Sequence, residues 1–180
     1  MTKSNKTNRR CFLKTSVLAA VSAPTIIPSS ALCQAGKPAP SNRITVGLIG
    51  CGGRGIGVMN SFLNESRAQV IATCDPYKTH HRGQARGRAL GREPAAEVVG
   101  KKYGSKPCDT YVDYRELCAR DDLDVVIVAT PDHWHAVQAL KALRNGKDIY
   151  CEKPVTHFFA EGQALYREVA KRKAIFQTGS

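Results

Sequence analysis

The stretch ITVGLIGCGGRGIG, residues 44–57, decides the fold of this chain. Its first seven residues form a β-branched apolar run that ends in glycine, and GIGVMNSFLN (55–64) is compatible with a helix. Between the two lies the pattern G-x-G-x-x-G, as Gly50, Gly52 and Gly55. Strand, glycine loop and helix in this order are typical of the first phosphate-binding turn of a parallel sheet.

Apolar runs and helical segments alternate along the rest of the chain. Further strands are predicted in 69–75, in a short segment before 113, in 124–130, in 149–151 and from 174. Helices are predicted in 95–103, 113–120, 134–144 and 159–173. The run DVVIVAT (124–130) is apolar almost throughout, as expected for a strand covered on both faces. This alternation predicts an α/β fold with a doubly wound parallel Rossmann sheet over residues 43–180.

The glycine loop suits a dinucleotide. Gly50 permits a tight turn, Gly52 lets the backbone approach a pyrophosphate, and Gly55 lets helix and strand pack closely. The helix N-terminus adds unpaired N–H groups and a partial positive charge for the anion. Gly53 and Arg54 belong to the same loop and are predicted to bind the cofactor as well.

Asp75 ends the second predicted strand, 20 residues after Gly55. An acid at this place accepts hydrogen bonds from a ribose diol, and its charge repels a 2′-phosphate. The predicted cofactor is therefore NAD. NADP is the alternative, since Lys78 or Arg82 would attract the extra phosphate.

Polar residues also follow two later strands. They are Thr130, Pro131 and Asp132 after one strand, and Glu152 and Lys153 after the next. Because parallel strands end at one edge of a sheet, these residues are expected to share a crevice with the glycine loop. Lys153 is predicted to be an electrostatic or proton-transfer partner for a substrate hydroxyl, and Pro154 limits the backbone that aims it. A partly buried amine beside a nicotinamide cation would have a lowered pKa.

The chain resembles the glucose–fructose oxidoreductase / inositol dehydrogenase (Gfo/Idh/MocA) family over roughly residues 43–180. The resemblance rests on VGLIGCGGRG, the acid Asp75, VVIVATPDHWHAVQALKALRNGKDIYCEKP, and EGQALYREVAKRKAIFQTGS. It implies an NAD(P)-dependent oxidoreductase that acts on sugars, cyclitols or related polyols. It also implies that Lys153 is the catalytic lysine. The residues it places on the cofactor side are Thr130, Pro131, Asp132, His135 and Glu152.

Three features depart from the family pattern. VTHFF puts aromatics at 158 and 159 where the family commonly has Leu-Thr after E-K-P, and the basic stretch 79–94 looks like an insertion. Family members also continue past QTGS with an α/β substrate domain, which forms the oligomer and supplies a catalytic histidine. The resemblance therefore implies that this chain is a truncated N-terminal piece, without the substrate wall needed for full activity.

Two other functions compete with that of a dehydrogenase. Relatives in the family are glycosidases that oxidise a sugar transiently with NAD, eliminate the aglycone and reduce the product again. The other alternative is that the chain is a non-catalytic, nucleotide-binding remnant of such an enzyme. Net NADH formation on polyols favours the dehydrogenase, and glycoside cleavage without net cofactor turnover favours the glycosidase.

The net charge of +12 belongs to two segments rather than to the whole chain. Residues 1–35 carry +5 and residues 78–106 carry +6, which leaves about +1 elsewhere. Because the basic stretch has no aromatic platform or recognition helix, no nucleic-acid partner is predicted.

Residues 1–35 resemble a bacterial twin-arginine export signal, with Arg9 and Arg10 ahead of Phe-Leu-Lys, and a linker follows at 36–42. The apolar run Val17 to Ala23 is too short for a membrane anchor. The predicted location is therefore periplasmic or secreted, with the export machinery as a partner. The alternative is an ordinary basic, disordered N-terminus.

Cysteine and histidine do not indicate a metal site. Cys51, Cys74, Cys108, Cys118 and Cys151 follow the leader, an odd number without a C-x-x-C, and are predicted to pack in the core. His133 and His135 lack a third ligand of suitable spacing. Trp134, between them, is expected either to pack on a cofactor or to cover the sheet.

Overall fold

Strands and helices alternate through the chain, as the sequence predicts. The computed structural model describes residues 42–81, 87–104 and 108–180. The strands in these ranges are β1 (Ile44–Ile49), β2 (Ala68–Cys74), β3 (Asp109–Tyr111), β4 (Val125–Val128), β5 (Asp148–Cys151) and β6 (Phe176–Thr178). The helices are α1 (Gly53–Asn64), α2 (Arg92–Tyr103), α3 (Tyr114–Cys118), α4 (Asp132–Arg144) and α5 (Phe159–Arg172).

These strands pair in parallel in the order β3-β2-β1-β4-β5-β6. The chain winds outward from β1 in both directions, since β2 and β3 lie on one side and β4 to β6 on the other. The loops after β1 and β4 are therefore neighbours where the winding reverses, which is where ligands of such sheets bind. The predicted doubly wound Rossmann sheet is confirmed.

Apolar side chains cover both faces of the sheet. In β4, Val126, Ile127 and Val128 are fully buried, as the apolar run predicts. On one face they join a core with α1 and α2 that includes Met59, and on the other a core with α3, α4 and α5 that includes Leu143. The central strands are buried between helices, so their ends are where polar side chains reach solvent.

Three helices begin earlier than the sequence predicts, since α4 starts at Asp132 rather than at residue 134, and α1 and α2 are early as well. The N–H of Ile56 already donates to the carbonyl oxygen of Gly52, so α1 starts at Gly53, directly after the glycine loop. Similarly, α2 starts at Arg92, because Gly91 makes the turn into the helix with a φ of +115°.

The described residues of the predicted insertion, 79–81 and 87–94, include a pairing of His80 with Leu90 and the first residues of α2. His80 and Leu90 exchange both backbone hydrogen bonds at 2.8 Å. Residues 82–86, which include Arg82, lie outside the described ranges.

The predicted export leader, residues 1–35, and the linker up to residue 41 also lie outside the described residues. The paired Arg9 and Arg10 stay a sequence-based prediction. No helix in the described ranges is long and apolar enough to cross a membrane.

The cysteines pack as small apolar side chains, as predicted. In the described ranges the free thiols are buried at Cys51, Cys74, Cys118 and Cys151 and half-buried at Cys108. Burial raises the pKa of Cys74 to about 12, with the charge of Asp75 adding to the effect. Burial likewise raises the pKa of Cys151 to about 12, with Glu152 as the second cause. Both groups are protonated at neutral pH, which makes them unsuitable nucleophiles.

Candidate functional site

Loops that follow β1, β4 and β5 surround an open cleft of about 450 Å³ at the carboxyl edge of the sheet. Its lining residues are Arg54, Ala129, Thr130, Asp132, His135, Glu152, Lys153, Pro154 and Ser180. Arg54 contacts Glu152 across this cleft at 2.9 Å. The glycine loop and the residues after β5 therefore face the same side of the sheet, as the prediction requires.

The glycine loop is packed on one side and open on the other. Gly50 has a φ of +93°, and a Cβ there would lie 2.7 Å from the backbone of Ala129 and Thr130. A Cβ on Gly55 would lie 1.9 Å from the carbonyl oxygen of Gly50. Around Gly52 a Cβ would meet no atom within 4 Å. The turn and the close helix packing require the outer glycines, and the open side is where the sequence predicts a ligand.

The N-terminus of α1 offers N–H groups without a side-chain acceptor. Its N-cap is Gly52, which makes no side-chain cap, and the first turn contains no acid. The unpaired N–H groups and the helix dipole make this end attractive to an anion. Gly53 leaves the approach open, and Arg54 adds a cation in the same turn. These residues fit a pyrophosphate group.

Asp75, directly after β2, is hydrogen-bonded to the glycine loop. Its side chain is buried, and Oδ2 accepts the backbone N–H of Cys51 at 2.8 Å. Oδ1 accepts the N–H of Tyr77, also at 2.8 Å. A carboxylate has about four acceptor positions, so it has capacity left for a ribose diol. The sequence predicts the ligand contact and misses this structural role.

Arg92 supports the loop behind Asp75 and is not apparent from any sequence motif. Its Nη1 donates to the carbonyl oxygens of Asp75 and Pro76, each at 3.1 Å. Its backbone N–H donates to the carbonyl oxygen of Tyr77 at 3.2 Å. The only signal for Arg92 is its position at the start of α2, and the sequence pattern predicts that start three residues too late, at residue 95.

His135 joins the two loops that form the far wall of the cleft. The ring is almost fully buried, with Nε2 2.7 Å from the carbonyl oxygen of Thr130 and Nδ1 2.6 Å from that of Pro154. Thr130 Oγ1 also donates to Gln138 Oε1 at 2.7 Å. Pro131 is the N-cap of α4 and does not line the cleft.

The sequence HWH does not bring two metal ligands together. Both ring nitrogens of His135 face carbonyl oxygens, and His133 lies beside Asp132 with Nδ1 and Oδ1 3.5 Å apart. Across the part of the chain that the structure describes, no cluster of His, Cys, Asp or Glu could hold a metal ion. Trp134 packs edge-on against Tyr114 outside the cleft lining, which favours the surface-covering role over cofactor packing.

Glu152 is a buried carboxylate at the end of β5. Its Oε1 accepts from Arg54 Nη2 at 2.9 Å and from the hydroxyl of Tyr150 at 3.2 Å. Gly179 packs against it, since a Cβ there would lie 2.8 Å from the carboxyl group. Burial, and then the charge of Glu152, raise the pKa of Tyr150. The sequence predicts Glu152 as a crevice residue but does not identify its partner.

Lys153 and Asp132 are the accessible charged groups of this wall. The expected partial burial of Lys153 is wrong: its side chain is exposed at the mouth of the cleft, because the cleft is open there. The backbone N–H of His133 donates to Asp132 and lowers the pKa of that carboxyl, and the His133 and His157 rings contribute too. The cleft thus presents an amine and a carboxylate to a bound molecule.

Comparison with known proteins agrees with this geometry. The family model described as "Oxidoreductase family, NAD-binding Rossmann fold" matches residues 44–180. An NAD-binding oxidoreductase from Klebsiella pneumoniae superposes with a TM-score of 0.57 and 26% identity, over 76% of this chain and 34% of that one. A 3-ketoreductase from Actinomadura kijaniata, solved with NADP and TDP-benzene, gives a TM-score of 0.59 and 26% identity, over 77% and 37%.

Curated relatives include glycosidases. An α-N-acetylgalactosaminidase of Shewanella oneidensis is 34% identical over 132 residues, which are 71% of this chain and 26% of that protein. A glycosyl hydrolase family 109 protein of Solibacter usitatus is 30% identical over 163 residues, 87% of this chain and 35% of that protein. The chain thus spans between a quarter and about a third of the length of these relatives.

Proposed function

Because this chain belongs to the Gfo/Idh/MocA oxidoreductase family, we propose that it is the nucleotide-binding part of an NAD-dependent oxidoreductase acting on a sugar, cyclitol or similar polyol. The observation that carries the proposal is the cleft itself. It joins the uncapped N-terminus of α1 to the residues after β4 and β5 at one edge of the sheet. An anion-binding turn beside an accessible amine and carboxylate suits a dinucleotide with a substrate next to it.

The residues at this edge of the sheet have separate roles in this proposal. The α1 N-terminus at Gly52 and Gly53 holds the pyrophosphate, and Asp75 accepts from the adenosine ribose. The bound nicotinamide supplies the acceptor or donor of a hydride. Lys153 lies exposed at the mouth of the cleft, where its amine can polarise a substrate hydroxyl or exchange a proton with it.

We propose NAD rather than NADP as the cofactor. The Asp75 carboxylate lies at the end of β2, where its negative charge opposes a 2′-phosphate. One relative of known structure was solved with NADP, so the ratio of NAD to NADP affinity tests this preference. The chain contains a single tryptophan, Trp134, in the first turn of α4, and this residue provides a fluorescence signal for it.

We expect NADH to bind the chain saturably and to accept energy from excited Trp134. NAD should bind about tenfold more tightly than NADP, since ~1.4 kcal/mol of charge repulsion corresponds to that ratio. Titration calorimetry with NAD, NADP and adenosine provides the affinities. The proposal is wrong for this chain if neither dinucleotide gives a saturable signal.

A glycosidase is the second candidate, because two of the similar curated proteins are described as an α-N-acetylgalactosaminidase and a glycosyl hydrolase family 109 protein. The two candidates share the cofactor site and differ in net turnover. In an activity assay, a dehydrogenase accumulates NADH on polyols. A glycosidase releases an aglycone from an N-acetylgalactosaminide without net NADH.

We also propose that residues 1–35 direct export by the twin-arginine pathway. The support is the pair Arg9 and Arg10 ahead of a short apolar run. Replacing both with lysine should move the protein from the periplasmic to the cytoplasmic fraction of cells that have the pathway. An unchanged distribution between the fractions would rule out this route.

A further inference from the structure

Arg54 spans the cleft from the glycine loop to β5. It lies in the first turn of α1, and its Nη2 donates to Oε1 of Glu152 at 2.9 Å and to the carbonyl oxygen of Ser180 at 3.3 Å. Its side chain is 61% exposed, whereas that of Glu152 is 6% exposed. The arginine therefore has room to move, and the glutamate does not.

Glu152 depends on the ion pair more than Arg54 does. A buried carboxylate needs compensating donors, and Glu152 receives them from Arg54 and from the hydroxyl of Tyr150. The exposed guanidinium of Arg54 is well hydrated, so it loses little interaction free energy when it exchanges Glu152 for another acceptor. Tyr150 also packs edge-on against Phe62, so its ring has a contact that does not involve Arg54.

A pyrophosphate at the α1 N-terminus would compete for the same guanidinium. Arg54 is attached to the turn whose N–H groups face that anion, so its side chain needs only to change direction to reach it. A diphosphate carries more charge than one carboxylate and accepts two parallel hydrogen bonds from a guanidinium. The pyrophosphate is therefore the stronger acceptor once it is bound.

We propose that Arg54 is a positioning residue shared between Glu152 and the pyrophosphate of the cofactor. Glu152 holds it across the cleft in the free protein, and the dinucleotide takes it over on binding. The exchange opens the passage between the glycine loop and Lys153, through which the nicotinamide half enters. This inference rests on the proposed dinucleotide site. It adds that Glu152 competes with the pyrophosphate for Arg54, which lowers the apparent affinity for the dinucleotide.

The test is a set of ADP-ribose affinities measured by calorimetry, because ADP-ribose contains the pyrophosphate and lacks nicotinamide. Arg54→Met should lower the affinity for ADP-ribose about tenfold, through the loss of charge-assisted hydrogen bonds. Glu152→Gln should raise that affinity about threefold, because the competing charge is gone while an acceptor for Tyr150 remains. The double variant should match Arg54→Met, and Arg54→Lys should recover part of the loss.

Two controls separate competition from a purely structural role. Adenosine lacks phosphate, so its affinity should be the same in all these variants. Arg67→Met removes another exposed arginine, paired with Glu65 at 3.1 Å at the far end of α1, and should leave ADP-ribose binding unchanged. Urea unfolding confirms that each variant is folded.

The competition predicts opposite changes in ADP-ribose affinity for Arg54→Met and Glu152→Gln, and this contrast is the decisive result. If Glu152→Gln weakens ADP-ribose, the ion pair is part of the binding scaffold and the competition is wrong. Unchanged ADP-ribose affinity in both Arg54→Met and Arg54→Lys also overturns it. If the unsubstituted chain binds neither ADP-ribose nor NAD, the proposed function itself fails, which is a different result from either of these.

Discussion

Gly55→Ala is expected to abolish measurable dinucleotide binding and to lower the free energy of unfolding by about 3 kcal/mol, as an overpacked contact does. The new Cβ would lie 1.9 Å from the carbonyl oxygen of Gly50 and 3.3 Å from the Cβ of Ala129. Both neighbours belong to or flank the central strands, so the first turn of α1 must move outward. The N–H groups that face the cleft move with it. Urea unfolding and NAD titration measure the two effects.

Gly57→Ala is the matched control. Gly57 lies two residues further along α1, is exposed, and would place its Cβ with no atom within 4 Å. Alanine there should raise the free energy of unfolding by about 0.5–1 kcal/mol, because it favours the helix over the unfolded chain. NAD binding should not change. Parent-like affinity in Gly55→Ala would contradict the close packing of α1 on the loop.

Asp75→Ala is expected to weaken NAD binding about 100-fold and to lower the free energy of unfolding by about 3 kcal/mol, because one buried and one partly buried donor lose their acceptor. The donors are the N–H groups of Cys51 and Tyr77, which the carboxylate now accepts at 2.8 Å each. The substitution therefore removes one of the hydrogen bonds that link the glycine loop to the end of β2, while the N–H of Gly50 still donates to the carbonyl oxygen of Cys74 at 2.9 Å. It also removes the expected ribose contact.

Asp75→Asn separates these two effects. Asparagine keeps one oxygen for a backbone N–H and places an amide donor against the other, so part of the stability returns. The charge is absent, so the preference for NAD over NADP should fall towards equality. A full retention of the NAD preference in Asp75→Asn would show that another group sets it.

Asp113→Ala controls for the loss of a carboxylate that accepts a backbone N–H. Asp113 caps α3, where its Oδ1 accepts from the N–H of Arg115 at 2.8 Å in an exposed position. Its removal should cost about 1 kcal/mol, as for a helix N-cap. NAD affinity should stay at the parent value, because Asp113 follows β3 and its side chain accepts from Arg115 rather than from the glycine loop.

Local sequence patterns predict the fold because strands and turns are specified by residues that are close together in the sequence. The apolar run at 124–130 marks a strand buried on both faces, and Val126 to Val128 are buried in the structure. Glycine spacing indicates the turn after β1, whose geometry at Gly50 excludes a side chain. Helix starts are less well predicted, since α1 and α2 begin where backbone hydrogen bonds form rather than where apolar periodicity begins.

The sequence by itself thus determined the order of strands and helices, the buried strands, and the edge at which the polar residues gather. It could do so because hydrophobic periodicity and glycine turns are local properties, and parallel strands necessarily share an edge. Only the tertiary structure decided which polar groups meet. The Arg54–Glu152 pair, the bond from the Cys51 N–H to Asp75 and the contact of His135 with the Pro154 carbonyl join segments distant in sequence. Such contacts depend on side-chain directions and distances set by the packing of helices on the sheet, which the residue types alone do not specify.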